Sequence, residues 1–167
     1  MKKLAILVTI SVLLFVSSGL CWAASANLSI TTGSMGGGFY AIGGGMAEYM
    51  TKHIEGVRCT AVTSGGVDEN INRLDAGKAD IGLVSTGDSQ AAFKGMAPYN
   101  KKFDKMRGMG ILFANWGEPY ALKKSGIKTY LDLKGKTVCV GAPGGSMHKL
   151  FYDWLKIHGL DPETDIK

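Results

Sequence analysis

Thr31-Thr32-Gly33-Ser34-Met35-Gly36-Gly37-Gly38-Phe39-Tyr40 carries a β-branched run through a glycine turn and into a helix. Upstream, Asn27–Thr32 alternates and is β-branched, the pattern of a strand. Downstream, Phe39, Ile42, Met46, Tyr49, Met50 and Ile54 recur at helical spacing and predict a helix over about 38–54. Gly43, Gly44 and Gly45 lie inside it, and each costs about 1 kcal/mol against alanine. Such a cost predicts a helix packed very close to another backbone or to a ligand. The same strand–turn–helix grammar returns twice. Val57–Thr63 runs into Ser64-Gly65-Gly66-Val67-Asp68, and Lys136–Val140 runs into Gly141-Ala142-Pro143-Gly144-Gly145-Ser146-Met147. The first N–H groups of a helix lack internal partners, so each turn aims backbone donors and a hydroxyl at one small anion.

The remaining elements follow from period and punctuation. Ser64 is placed to cap a helix with Asp68 and Glu69 in its first turn, Val67, Ile71 and Leu74 as its buried stripe and Gly77 at its end. Ala79–Ser85 is mostly apolar, as a strand covered on both faces of a parallel sheet should be. Gly87-Asp88-Ser89 opens a short helix to about Gly95, and Pro98 stops it. Arg107–Ala114 is strand-like, Pro119–Lys123 continues extended, and Thr129–Leu133 is one helical turn. A helix over 146–158 presents Met147, Leu150, Phe151, Trp154 and Leu155, and Gly159 caps it. Asp165-Ile166-Lys167 reads as the opening of another strand. This order predicts an α/β fold on a parallel sheet.

The N-terminus reads as an export signal. Lys2 and Lys3 precede the uncharged stretch Leu4–Val16, and Ala24-Ser25-Ala26 offers a cleavage site after Ala26. The apolar run is short of the ~20 residues that a membrane-spanning helix needs. Losing the two leader lysines lowers the formal charge from +5 to +3, a mild excess that favours anionic ligands. There is no basic block interleaved with aromatics, which argues against nucleic acid. Cys21 goes with the leader, while Cys59 and Cys139 sit mid-strand and are expected as two buried thiols. The spacing of the cysteines, histidines and carboxylates offers no metal motif, and no cofactor is expected.

Two enzyme classes fit poorly. Around the first turn the glycines miss the G-x-G-x-x-G spacing, because Ala41 stands at the third position counted from Gly36. Thr32-Gly33-Ser34-Met35-Gly36 lacks the first glycine of a nucleophile elbow. Its serine would need His53, His148 or His158, each read better as a helix-end or surface residue. Tight connections explain one or two glycines per turn. They do not explain a triple glycine with Ser34, Ser64 and Ser146 at equivalent places. Ligands of open α/β sheets collect beyond the carboxyl ends of the strands, so the three turns read as a binding cleft. Tyr40 and Tyr120 are read either as cleft walls or as core, Asp88 as a helix cap or a contact to a ligand's ammonium, and Asn70 as a possible ligand contact.

T-G-S-M-G-G-G-F-Y-A-I-G-G-G, T-S-G-G-V-D-E-N-I-N-R-L, G-K-A-D-I-G-L-V-S and I-K-T-Y-L-D-L-K-G-K-T-V-C-V-G-A-P-G-G-S, in this order, resemble the TAXI family. These are the substrate-binding proteins of tripartite ATP-independent periplasmic (TRAP) transporters. The resemblance implies a type II periplasmic-binding-protein fold whose two lobes close on a small carboxylate, such as glutamate or another organic acid. It also implies delivery to TRAP permease subunits in the membrane, a monomeric protein, and no catalysis. On this pattern Gly33, Ser34, Gly37, Tyr40, Ser64, Gly65 and Asn70 line the first lobe's side, and Gly144, Gly145 and Ser146 face them. Phe39 and Gly145-Ser146-Met147 depart from the family's pattern, which bears on ligand polarity and on the second-lobe hydroxyl. The implied division is a leader over 1–26, a first lobe over 27–114, and a hinge with the start of a second lobe over 115–167, expected to be truncated. A ligand-sensing module for a membrane signalling partner is the alternative role.

Overall fold

The computed structural model describes residues 25–114 and 116–167; Cys21 and the export leader, up to its last two residues, lie outside the described residues. Three strands form one parallel sheet in the order β2-β1-β3. They are β1 (Ala26–Thr31), β2 (Val57–Val62) and β3 (Ile81–Gly82). Helices α1 (Gly38–His53), α2 (Val67–Asp75) and α3 (Thr86–Lys94) follow them in turn. Two 3-10 turns, Lys123–Ser125 and Tyr130–Leu133, precede α4 (Ser146–Ile157). The α/β fold with a parallel sheet is therefore as the sequence predicts.

The central strand is β1. Ala26 to Thr31 stand opposite Val57 to Val62 on one side, and Ile30 and Thr31 opposite Ile81 and Gly82 on the other. Ile30 is wholly buried and packs with Ala47, Cys59 and Leu83, the first core. Val67, Ile71, Ala92 and Phe103 form a second cluster, and Phe39 touches both. A third is built entirely from residues 127–166, around Leu133, Leu155 and Leu160.

The helical glycines divide. A Cβ on buried Gly43 would run into Thr32 Cγ2 and lie 3.4 Å from Leu83 Cδ1, so α1 meets β1 with no room for a side chain. Gly44 and Gly45 face open space, so the close-packing expectation applies to Gly43 alone.

Several expected strands are shorter or absent. The strand predicted over 79–85 is two residues long, flanked by backbone bonds from Asp80 N–H to Ser29 and from Leu83 N–H to Thr31. Residues 107–114 are extended but pair with no strand among the described residues, leaving Met109 and Ile111 more than four-fifths exposed. Apolar composition alone does not make a ladder without a neighbour. Pro119–Lys123 likewise runs unpaired into the first 3-10 turn. The predicted strand Lys136–Val140 is irregular. Lys167 N–H nevertheless donates to Lys136 and Val138 N–H to Lys167, both at 2.8 Å, the pattern of a parallel bridge. Val138 packs on the third cluster, and the alternation turns Cys139 outward. Cys139 is thus exposed, against the expectation of two buried thiols, while Cys59 is buried. Among the described residues no helix is long and apolar enough to cross a membrane.

Candidate functional site

The three glycine turns meet. Ser64 N–H donates to the Gly33 carbonyl at 3.1 Å, which joins the turn after β1 to the turn after β2. The third turn closes on the second: a Cβ on Gly66 would stand 3.2 Å from Gly145 Cα. Gly66 also has φ +131°, so both backbone conformation and space call for glycine there.

The turns differ in what they leave open. Helix α1 starts at Gly37 with no side-chain cap and no acid in its first turn, and α4 starts at Gly145 in the same way. The amides of Gly38, Phe39 and Tyr40, and those of Ser146, Met147 and His148, find no backbone acceptor among the described residues. Helix α2 likewise has no side-chain cap, but it carries Asp68 and Glu69 in its first turn, and the turn before it is bonded internally. Gly65 N–H donates to Glu69 Oε2 at 2.6 Å and Gly66 N–H to Ser64 Oγ at 3.2 Å. The Gly65 amide, aided by the Arg73 cation, holds the Glu69 carboxyl below its ordinary range against the opposing effect of desolvation. Ser64 therefore stands two residues ahead of the observed cap, Gly66, rather than at it. Helix α3 is capped by Ser85, whose Oγ accepts from Asp88 N–H and donates to Asp88 Oδ2.

An ion cluster spans the second and third turns. Lys149 Nζ donates to Asp68 Oδ1 at 2.6 Å and to Asp88 Oδ1 at 2.9 Å. Ser146 Oγ donates to Asp88 Oδ2 at 2.8 Å, and Tyr99 Oη to Asp68 Oδ1 at 2.7 Å. The ammonium also lies 5.4 Å from the centre of the Tyr99 ring. Burial works to raise the Asp88 carboxyl, but hydrogen bonds from Ser85, Lys149 and Ser146 outweigh it and hold the group below the carboxylate range. Burial works to lower Lys149, and the two aspartates outweigh it and push the amine up. The Tyr99 phenol is pushed up by burial and then by Asp68. The Asp88 contribution to stability is present above the unfolded carboxylate pKa and fades as pH falls through the depressed folded value. That of Lys149 is present below the unfolded lysine pKa and fades as pH rises through the raised folded value, so the cluster holds across neutral pH.

The expected site residues separate by what they do. Gly33 and Ser64 are buried at the junction of the turns, and Ser34, Gly37, Tyr40 and Gly65 are exposed or half-buried around it. Gly144, Gly145 and Ser146 are half-buried opposite them. Asn70 is wholly buried and serves the fold. Its Oδ1 accepts from Thr31 Oγ1 at 2.7 Å, and its Nδ2 donates to the carbonyls of Thr32 at 2.6 Å and Leu83 at 2.7 Å. Tyr120 is 87% exposed and hydrogen-bonded to Glu118, so it belongs to no core. Asp88 is not the cap of α3, a place Ser85 takes; its carboxylate accepts from Ser85, Ser146 and Lys149. Sequence reasoning missed Lys149 and Tyr99; the three-residue step from Ser146 to Lys149, which puts both on one helix face, was the available signal. A hollow lined by Ser25 and residues 51–58 lies at the amino ends of the strands and holds none of these residues. Among the described residues no group of three His, Cys, Asp or Glu side chains could hold a metal ion.

A family model described as NMT1-like matches residues 30–167, every glycine turn and the whole ion cluster included. The chain belongs to the NMT1-like family. Among solved structures, this NMT1-like chain is similar to the alkanesulfonate-binding protein SsuA from Xanthomonas axonopodis pv. citri bound to MOPS, at 21% identity and a TM-score of 0.47. The likeness covers 87% of this chain and 47% of that one, so the chain spans about half the length of that protein.

Proposed function

We propose that this protein is an extracytoplasmic solute-binding receptor and not an enzyme, and that its cleft takes a small carboxylate. The observation that carries the reading is the convergence of three glycine turns, with α1 and α4 starting without side-chain caps and without acids in their own first turns. Uncapped helix starts favour an anion electrostatically and offer it several N–H donors. Family membership supports the binding role. The motif resemblance to TAXI proteins supports the finer reading, in which the loaded protein serves a TRAP permease and residues 27–114 and 115–167 belong to separate lobes. The third hydrophobic cluster, drawn wholly from residues 127–166, supports that division.

Titration calorimetry of the purified protein with L-glutamate, succinate and the uncharged dimethyl ester of succinate tests the reading. Heat of saturable binding is expected with at least one of the two acids and not with the ester. Binding of the ester as tightly as of the acids would contradict capture by charge, and no binding of either acid would contradict the carboxylate reading itself.

A further inference from the structure

We propose that Lys149 is the specificity-determining cation of this cleft, and that its ammonium is exchanged between Asp68 and Asp88 and the anionic group of the ligand. The inference rests on the carboxylate reading above and adds the side chain that reads the charge.

The geometry argues for exchange in three steps. A lysine ammonium has three N–H donors, and among the described residues Lys149 Nζ has two acceptors, Asp68 Oδ1 and Asp88 Oδ1. One donor is therefore left for an outside oxygen. Lys149 also stands one turn from the start of α4, where the amides of Ser146, Met147 and His148 lack backbone acceptors among the described residues. An anion at that helix start would meet backbone N–H groups and the remaining ammonium donor together. Finally, the two aspartates exceed the one lysine by a negative charge. A carboxylate approaching the intact cluster meets this surplus, and it gains a full partner only when Lys149 turns away from an aspartate. Tyr99 Oη and Ser146 Oγ already donate to Asp68 and Asp88, so the carboxylates keep hydrogen bonds when the ammonium leaves.

The same contacts give the exchange a mechanical consequence. Lys149 joins α4 to the starts of α2 and α3 across 81 and 61 residues of sequence. The side chain that recognises the ligand is thus also the tie between the third glycine turn and the rest of the cleft.

The experiment is calorimetry with L-glutamate and succinate on the wild-type protein, on Lys149→Met, and on the double variant Asp68→Asn/Asp88→Asn, with circular dichroism to establish that each is folded. Loss of a hydrogen bond to a charged group predicts that Lys149→Met weakens binding of the better acid about tenfold or more. The double variant releases the ammonium and is expected to bind that acid more tightly than wild type. If the folded Lys149→Met protein binds with wild-type affinity, or the double variant binds more weakly, the exchange is wrong while the carboxylate reading stands. If wild type binds neither acid, both fail together. Should Lys149→Met not fold, the double variant alone decides, since tighter binding supports the exchange and unchanged or weaker binding overturns it.

Discussion

Replacing Asn70 with aspartate is expected to cost this protein on the order of 3 kcal/mol or more, although the two side chains have nearly the same shape. Asn70 is wholly buried, and its amide nitrogen donates to the carbonyls of both Thr32 and Leu83. An aspartate has no N–H to offer, so two buried carbonyls lose their donor, each at a cost of about 1–3 kcal/mol. If ionised, it would also bring a negative charge against both oxygens. Only the bond from Thr31 Oγ1 survives the change. Urea denaturation of wild type and Asn70→Asp measures the loss. A shift below about 1 kcal/mol would show that these bonds do not hold the strand ends together.

Gly43→Ala and Gly44→Ala, neighbours in one helix, are expected to move stability in opposite directions. A methyl on Gly43 collides with Thr32 Cγ2, and Thr32 cannot swing aside easily because it is wholly buried with its hydroxyl bonded to the Val62 carbonyl at 2.8 Å. Overpacking of this kind costs about 1–3 kcal/mol, against about 1 kcal/mol gained in helix propensity. The net expectation for Gly43→Ala is a loss of up to about 2 kcal/mol. Gly44 faces open space, so its alanine variant keeps the propensity gain of up to about 1 kcal/mol. Thermal melts of the two variants beside wild type read the difference directly, and a stabilised Gly43→Ala would refute the close approach of α1 to β1.

The elements that carry this site were legible because their signals are local. Glycine after a β-branched run marks the ends of β1 and β2, and helical spacing from Phe39 to Met50 sets α1. Asn70 was legible as important but misread. Its three-residue step from Val67 and four-residue step to Leu74 put it on the buried stripe of α2, where a polar residue must find partners within the fold. The ion cluster was not legible, because Asp68, Asp88, Tyr99 and Lys149 come from separate segments and are joined only by packing. Residues 107–114 failed for a related reason. Their composition suits a strand, but a strand is defined by its neighbour, and among the described residues none pairs with them. The outward turn of Cys139 depends in the same way on which face of 136–140 is covered.

The placement of β1 at the centre of the sheet has a kinetic side. Its first residue pairs 31 positions downstream, Ala26 with Val57, and its other edge pairs 51 positions downstream, Ile30 with Ile81. The strand that leads the fold in sequence is thus completed only after two helical crossovers have closed, and parallel sheets of such high contact order assemble slowly. Asn70 reaches from the second crossover to the ends of the central strand and of β3, across 38 and 13 residues. Its amide thus ties the end of the leading strand to the end of the strand that arrives last in sequence.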